Sequence, residues 1–115
     1  MESSAALSAF AALSQPTRLA VVRLLVRQGP DGLPAGDIAR RLKVRPNTLS
    51  ANLSILAHAG LVHAERQGRL IRYTANLSAM HSLVAFLLED CCGGRPELCR
   101  PVLQNLLAAR EAVDG

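Results

Sequence analysis

Aromatic side chains are scarce in this chain of 115 residues, which has no tryptophan, one tyrosine and two phenylalanines. So few rings exclude the stacking platform on which proteins bind single-stranded nucleic acid. Half of the residues are nevertheless hydrophobic, so the core must consist of leucine, valine, isoleucine and alanine, a composition typical of packed helices. At this length we expect one domain, small enough for burial against a partner to add stability.

Long hydrophobic runs are missing as well. No segment approaches the roughly 20 apolar residues of a membrane-spanning helix, and the start Met1-Glu2-Ser3-Ser4 lacks the basic region of a secretory leader. We therefore expect a cytoplasmic protein with no membrane partner, in a compartment where thiols stay reduced. The three cysteines are an odd number, which excludes a complete set of intramolecular disulfides.

All three cysteines lie within nine residues, in the segment Cys91-Cys92-Gly93-Gly94-Arg95-Pro96-Glu97-Leu98-Cys99. Adjacent cysteines cannot share one helix face, because neighbours are rotated by about 100°, and the glycines and proline favour a loop. Soft thiolates favour a soft metal or metalloid over magnesium or calcium. Three cysteines with no obvious fourth ligand suit a three-coordinate site better than tetrahedral zinc. A redox switch, thiols without a role, and zinc completed by His63 or His81 are the alternatives.

Positive charge is concentrated in the middle of the chain. Residues 40–72 contain seven arginines or lysines and one acidic residue, whereas residues 89–115 contain three basic and five acidic residues. Such a local excess favours contact with phosphates, although a solvated helix face has the same pattern.

The hydrophobic periodicity predicts a mainly α protein with a small β-hairpin, of α+β class. We expect helices over 5–13, from 16 to 28, over 35–42, 46–59 and 77–90 and from 101, with strands over 61–66 and 70–74. The expected buried stripes are Leu19, Val22 and Val26 on the second helix and Leu49, Leu53 and Leu56 on the fourth. Two short helices joined by a tight turn, then a basic hairpin, are typical of a winged helix-turn-helix rather than of an ordinary helical hairpin.

Four segments carry a family likeness: Ala12-Leu13-Ser14-Gln15-Pro16-Thr17-Arg18-Leu19, Asn47-Thr48-Leu49-Ser50-Ala51-Asn52-Leu53, Ala59-Gly60-Leu61-Val62, and Arg66-Gln67-Gly68-Arg69 with Arg72-Tyr73. In this order the chain resembles the ArsR/SmtB family of dimeric winged-helix repressors, which sense metals and metalloids. The resemblance implies one domain, with dimerisation and support helices over 1–30, a helix-turn-helix over 35–59, a wing over 61–74, and C-terminal helices with the inducer site over 77–115.

The resemblance also implies the partners and the site residues. These are a double-stranded DNA operator and a second copy of the chain, with no prosthetic group. By matching position, the DNA-binding residues are Arg45, Asn47, Thr48, Ser50, Ala51, Asn52 and Arg69. Many relatives carry histidine where this chain has Ala51 and Asn52, so the resemblance does not imply an operator sequence.

The inducer site implied by the resemblance is the C-terminal cysteine cluster. The family's arsenic site in the first helix of the DNA-binding motif has no match, because residues 35–42 contain no cysteine. The zinc sites of the last helix have none either, because residues 101–115 contain no histidine. Cys91, Cys92 and Cys99 instead match an alternative site for trivalent arsenic or antimony. The natural inducer within that class stays open.

Two other functions compete with an arsenic-responsive repressor. The same cysteines would serve a repressor of the same fold that responds to oxidants or sulfur species through a disulfide from Cys99 to Cys91 or Cys92. A thiol-based arsenate reductase would need an oxyanion cradle beside its nucleophile. The spacing from the first two cysteines to Arg95 and Arg100 fits no such loop, so we expect no enzyme.

Overall fold

The computed structural model describes residues 1–89, which form five helices and one three-stranded antiparallel sheet. The elements are α1 (Ser3–Leu13), α2 (Pro16–Gln28), β1 (Leu33–Pro34), α3 (Ala35–Leu42), α4 (Pro46–His58), β2 (Val62–Gln67), β3 (Leu70–Ala75) and α5 (Leu77–Leu88). The α+β class and the winged helix-turn-helix are confirmed. The cysteine segment and the helix expected from residue 101 lie outside the described residues.

Helix boundaries follow local chemistry. Both α2 and α4 begin with a proline in the first turn, where the missing N–H is harmless. The side chain of Gln15 accepts a hydrogen bond from the backbone N–H of Arg18 at 2.8 Å and so caps α2. Asn76 caps α5 in the same way, because its Oδ1 accepts from the backbone N–H of Ala79 at 3.1 Å.

The core of the first compact unit, Met1–Leu83, is aliphatic. Its largest fully buried side chains are Val21, Leu25, Ile38, Leu49, Leu53, Leu56 and Leu61. The predicted stripe of α4 is therefore confirmed. That of α2 is confirmed only at Val22, which is 4% exposed; Leu19 and Val26 are 44% and 42% exposed, so the prediction is wrong there. The other buried residues of α2 are Val21 and Leu25.

The sheet has the strand order β1-β3-β2. Strands β2 and β3 form the expected hairpin, with Gln67 opposite Leu70 across the two-residue turn Gly68-Arg69. The sequence did not predict β1, which pairs Leu33 with Tyr73 and Pro34 with Arg72. This short strand joins the wing to the entry of α3.

No single helix among residues 1–89 has the length and apolar character to cross a membrane; α1 and α2 reach that threshold only as a pair, and the pair is bent by 100°.

Candidate nucleic-acid interface

A three-residue turn joins α3 to α4. Lys43 adopts the left-handed backbone conformation with φ 55°, and the N–H of Val44 returns to the carbonyl oxygen of Ala39 at 3.0 Å. Arg45 is extended and precedes Pro46, the first residue of α4. Leu42 is half-buried beside the buried Ile38 and Ala39. The turn is thus closed by backbone hydrogen bonds at one end and by proline at the other.

The N-terminal half of α4 presents a small polar surface. Arg45, Asn47, Thr48, Ser50 and Ala51 are all exposed, whereas Leu49 between them is 1% exposed and packs inward. The first turn contains no acidic residue, and its free backbone N–H groups favour an anion. Hydroxyl and amide side chains hydrogen-bond to base edges or phosphates, and a surface without bulky side chains lets the helix approach DNA closely.

Asn52 is a correction to the expected DNA-facing set. It is 6% exposed, and both ends of its amide are engaged inside the protein. Its Oδ1 accepts from Nη1 of Arg18 at 3.1 Å, and its Nδ2 donates to the carbonyl oxygen of Thr48 at 3.1 Å. The physical reason is helical phase, because position 52 is three residues after Leu49 and four before Leu56, on the buried side.

The wing presents its arginines at the tip. Gly68 has φ 64° at the first position of the turn, a conformation that glycine adopts without a steric penalty. Arg66 and Arg69 are exposed. Arg66 Nε donates to the carbonyl oxygen of Gly68 at 3.3 Å, so Arg66 partly braces the turn while Arg69 extends from it.

Arg72 lies within β3, away from the tip of the wing, and its hydrogen-bond partners are groups of the protein itself. Its Nε donates to Oε1 of Gln67 at 3.2 Å, and its Nη1 donates to the carbonyl oxygens of Asp31 and Gly32 at 3.1 and 3.4 Å. This side chain therefore ties the hairpin to the loop after α2.

The predicted metal ligands Cys91, Cys92 and Cys99 lie outside the described residues. Within residues 1–89 no three side chains of His, Cys, Asp or Glu are grouped as a metal site would require. His63 and His81, the histidines considered for zinc, are both exposed. Residues 1–89 therefore contain no metal-binding group of their own.

Sequence reasoning missed the role of Arg18, which contacts both α1 and α4. One signal could have indicated it. The positions 49, 52, 53 and 56 follow the spacing of a buried helix face, so an asparagine among three leucines requires a buried hydrogen-bonding partner. Nothing in the spacing identified Arg18 as that partner, because 34 residues separate the two.

Comparison with known proteins agrees with this geometry. The family of helix-turn-helix domains matches residues 13–65. The transcriptional repressor SdpR of Bacillus subtilis is 32% identical over 80 residues, covering 70% of this chain and 86% of that protein. An ArsR-like transcriptional regulator from Rhodococcus superposes with a TM-score of 0.66 at 28% identity, covering 96% of this chain and 92% of the other.

Two further solved structures are similar. The AntR antimony-specific transcriptional repressor has a TM-score of 0.55 and 29% identity, covering 68% of this chain and 69% of its own. The homodimeric winged helix-turn-helix domain of Mb0332 from Mycobacterium bovis, a possible ArsR-family regulator, has a TM-score of 0.60 and 28% identity, covering 76% of this chain and 81% of the other.

Proposed function

Because the chain belongs to the ArsR/SmtB family of DNA-binding winged-helix transcriptional regulators, we propose that it is a homodimeric repressor released from its operator by trivalent arsenic or antimony. The inducer binds Cys91, Cys92 and Cys99. Membership of a family of regulators removes the arsenate reductase alternative, and the chain is not an enzyme. A cytoplasmic location, where thiols stay reduced, suits the cysteine site.

The exposed N-terminal face of α4 is the single observation that supports operator binding most strongly. Asn47, Thr48 and Ser50 form a polar surface, and the small Ala51 beside them adds no bulk, so this face is suited to entering the major groove. Arg45 contacts the phosphate backbone at the start of this helix. Arg69 contacts the backbone or the minor groove from the tip of the wing.

Exposed apolar side chains on α1 support a homodimer. Leu7 is 69% exposed and Phe10 is 37% exposed on a helix of only eleven residues. Burial of such side chains against a second copy is favourable by about 1.5–3 kcal/mol for each residue fully buried. The homodimeric relative from Mycobacterium bovis has the same fold. A twofold dimer holds two recognition helices about 34 Å apart, one turn of DNA.

The donor set supports a thiophilic inducer. Three cysteines within nine residues provide three soft sulfur ligands, and soft ligands select soft ions over magnesium or calcium. The similarity to an antimony-specific repressor points to the same class of inducer. Joining Cys99 to the cysteine pair restrains the chain shortly after α5, which ends at Leu88. A coupling of about 1–3 kcal/mol between inducer and operator would weaken DNA binding roughly 5- to 150-fold.

A DNA-binding titration with and without arsenite or antimonite tests the proposal. The probe is a duplex that the wild-type protein enriches from a random-sequence pool. We expect arsenite to release the wild type, and Cys92→Ser to stay bound under the same conditions. Ser82→Ala, an α5 variant that leaves all thiols in place, is the matched control and should respond as the wild type does.

Two results would contradict the inducer assignment. One is release of Cys92→Ser by arsenite at the wild-type concentration. The other is release of the wild type by peroxide but not by arsenite, with the mass loss of a disulfide, which would establish the redox alternative. X-ray absorption on protein loaded from a mixture of candidate ions counts the sulfur ligands and identifies the bound element.

A further inference from the structure

One arginine side chain joins three helices behind the recognition surface. Arg18, in the first turns of α2, donates from Nε to the carbonyl oxygen of Ala12 at 2.7 Å and from Nη1 to Oδ1 of Asn52 at 3.1 Å. Ala12 lies in the last turn of α1, where backbone carbonyls have no partner within the helix. Asn52 lies in the middle of α4. The guanidinium thus connects the end of α1 to the recognition helix.

Asn52 has no freedom to turn within this arrangement. Because it is 6% exposed, its amide needs internal partners. Oδ1 accepts from Arg18, while Nδ2 donates to the carbonyl oxygen of Thr48 one turn earlier at 3.1 Å. Exchanging the amide oxygen and nitrogen would place two donors against each other and two acceptors against each other. The network therefore has one consistent arrangement.

We infer, on the basis of the proposed contact between α4 and the operator, that Arg18 and Asn52 are positioning residues for operator recognition, which set the rotation of α4 about its own axis. The leucines on the buried face of α4 provide non-directional packing, which tolerates small rotations of the helix. Hydrogen bonds from a planar guanidinium are directional. They hold Asn52 at a fixed angle to α1 and α2, and therefore hold the exposed neighbours Thr48 and Ala51 at a fixed angle to the groove.

Arginine is required for this arrangement, and lysine is not equivalent. The guanidinium presents separate N–H groups in a rigid fork, which reach two acceptors on different helices at once. A lysine keeps the charge but has one nitrogen at the end of a flexible stem. Arg18→Lys therefore removes the geometry and leaves the net charge of the protein unchanged.

The test compares affinity for the enriched duplex with affinity for a duplex of unrelated sequence. For Arg18→Lys we expect about a tenfold loss on the enriched duplex, from disturbed hydrogen bonds to base edges. On the unrelated duplex we expect less than about a twofold change, because phosphate contacts depend on charge. Partial unfolding would lower both affinities by the same factor, so an unchanged ratio of the two affinities overturns the proposal.

A double-mutant cycle tests whether the two residues act as one unit. Asn52→Ala should lower the affinity ratio about as much as Arg18→Lys, and the double variant should lower it no further. Multiplication of the two losses would show that the residues act independently and would overturn the proposal. Arg23→Lys, at an exposed arginine of the same helix, is the control and should keep the wild-type ratio.

A measurement on the wild type covers the case in which the variants fail to fold. The Nε–H of Arg18 donates to Ala12 within the protein, so its proton NMR signal should persist near neutral pH, where water exchange broadens the signals of exposed arginines such as Arg23 and Arg69. It should persist in the DNA complex as well. Rapid water exchange of the Arg18 signal in free protein or complex would overturn the proposal.

Discussion

Glu65 and Arg72 occupy directly opposed positions on β2 and β3, yet the guanidinium of Arg72 donates elsewhere. It reaches Gln67 further along β2 and the carbonyl oxygens of Asp31 and Gly32 in the loop after α2. A cross-strand ion pair between exposed groups contributes little. By donating to backbone carbonyls, Arg72 instead fixes the base of the wing to the rest of the fold.

Replacement of Arg72 by methionine should therefore loosen the wing. Hydrogen bonds to two backbone carbonyls are lost, and we expect the free energy of unfolding to fall by about 1–2 kcal/mol. Urea unfolding measures this loss, and faster amide exchange in β2 and β3 locates it. Arg69→Met, at an exposed arginine of the same hairpin, is the control. An equal loss in both variants would show that Arg72 has no special role.

Replacement of Arg69 by alanine should have the opposite profile. The side chain is exposed at the tip of the wing, so the free energy of unfolding should change by less than about 0.5 kcal/mol. If Arg69 contacts a phosphate, affinity falls for every duplex and the slope of log K against log salt decreases by about 1. Titrations at several salt concentrations measure the slope. An unchanged slope would remove Arg69 from the interface.

Gly32 and Gly36 form a matched pair for substitution by alanine. Gly32 has φ 62°, and an added Cβ would overlap the carbonyl oxygen of Tyr73 and the side chain of Thr74. We expect Gly32→Ala to lower the free energy of unfolding by about 2 kcal/mol or more. Gly36 lies within α3, where an added Cβ would make only ordinary contact with Arg40.

Gly36→Ala should therefore stabilise the protein by about 0.5–1 kcal/mol, because alanine is the better helix former. Thermal or urea unfolding distinguishes the two variants. If both glycines tolerate alanine equally, the close approach of the loop to β3 is not a constraint in solution.

The proposed dimer predicts that α1 is sensitive to charge. Leu7→Glu places a carboxylate on the exposed apolar surface of α1 and should shift the protein to a monomer in sedimentation, with a loss of operator affinity. Leu70→Glu, at a side chain 55% exposed on the wing, should leave the dimer intact. A dimer that survives the change at Leu7 would place the interface elsewhere.

Sequence patterns predicted most of the described fold because particular residues mark where its elements begin and which positions are buried. Pro16 and Pro46 mark helix starts, and the leucines of α4 repeat at helical spacing. The strand β1 was missed because two residues are too short for any period. The stripe of α2 was correct at Val22 but wrong at Leu19 and Val26, because nearly every position between those two residues is apolar and sequence alone did not show which side is buried.

Prediction of the site was less complete for a different reason. Exposed residues such as Asn47 and Ser50 follow from helical phase once α4 is located. The burial of Asn52 depends on Arg18, whose partnership arises only when α1, α2 and α4 pack together. Propensity and periodicity describe neighbours along the chain, whereas this contact is a property of the tertiary structure.

The connection between α3 and α4 has a consequence for how any signal reaches the DNA. Only residues 43–45 separate the two helices. The backbone there is restricted by the left-handed Lys43, by the hydrogen bond from Val44 N–H to Ala39 and by Pro46. Bending at this corner would break the hydrogen bonds that close it. We therefore expect a stimulus received elsewhere to move α3 and α4 together, as one rigid unit.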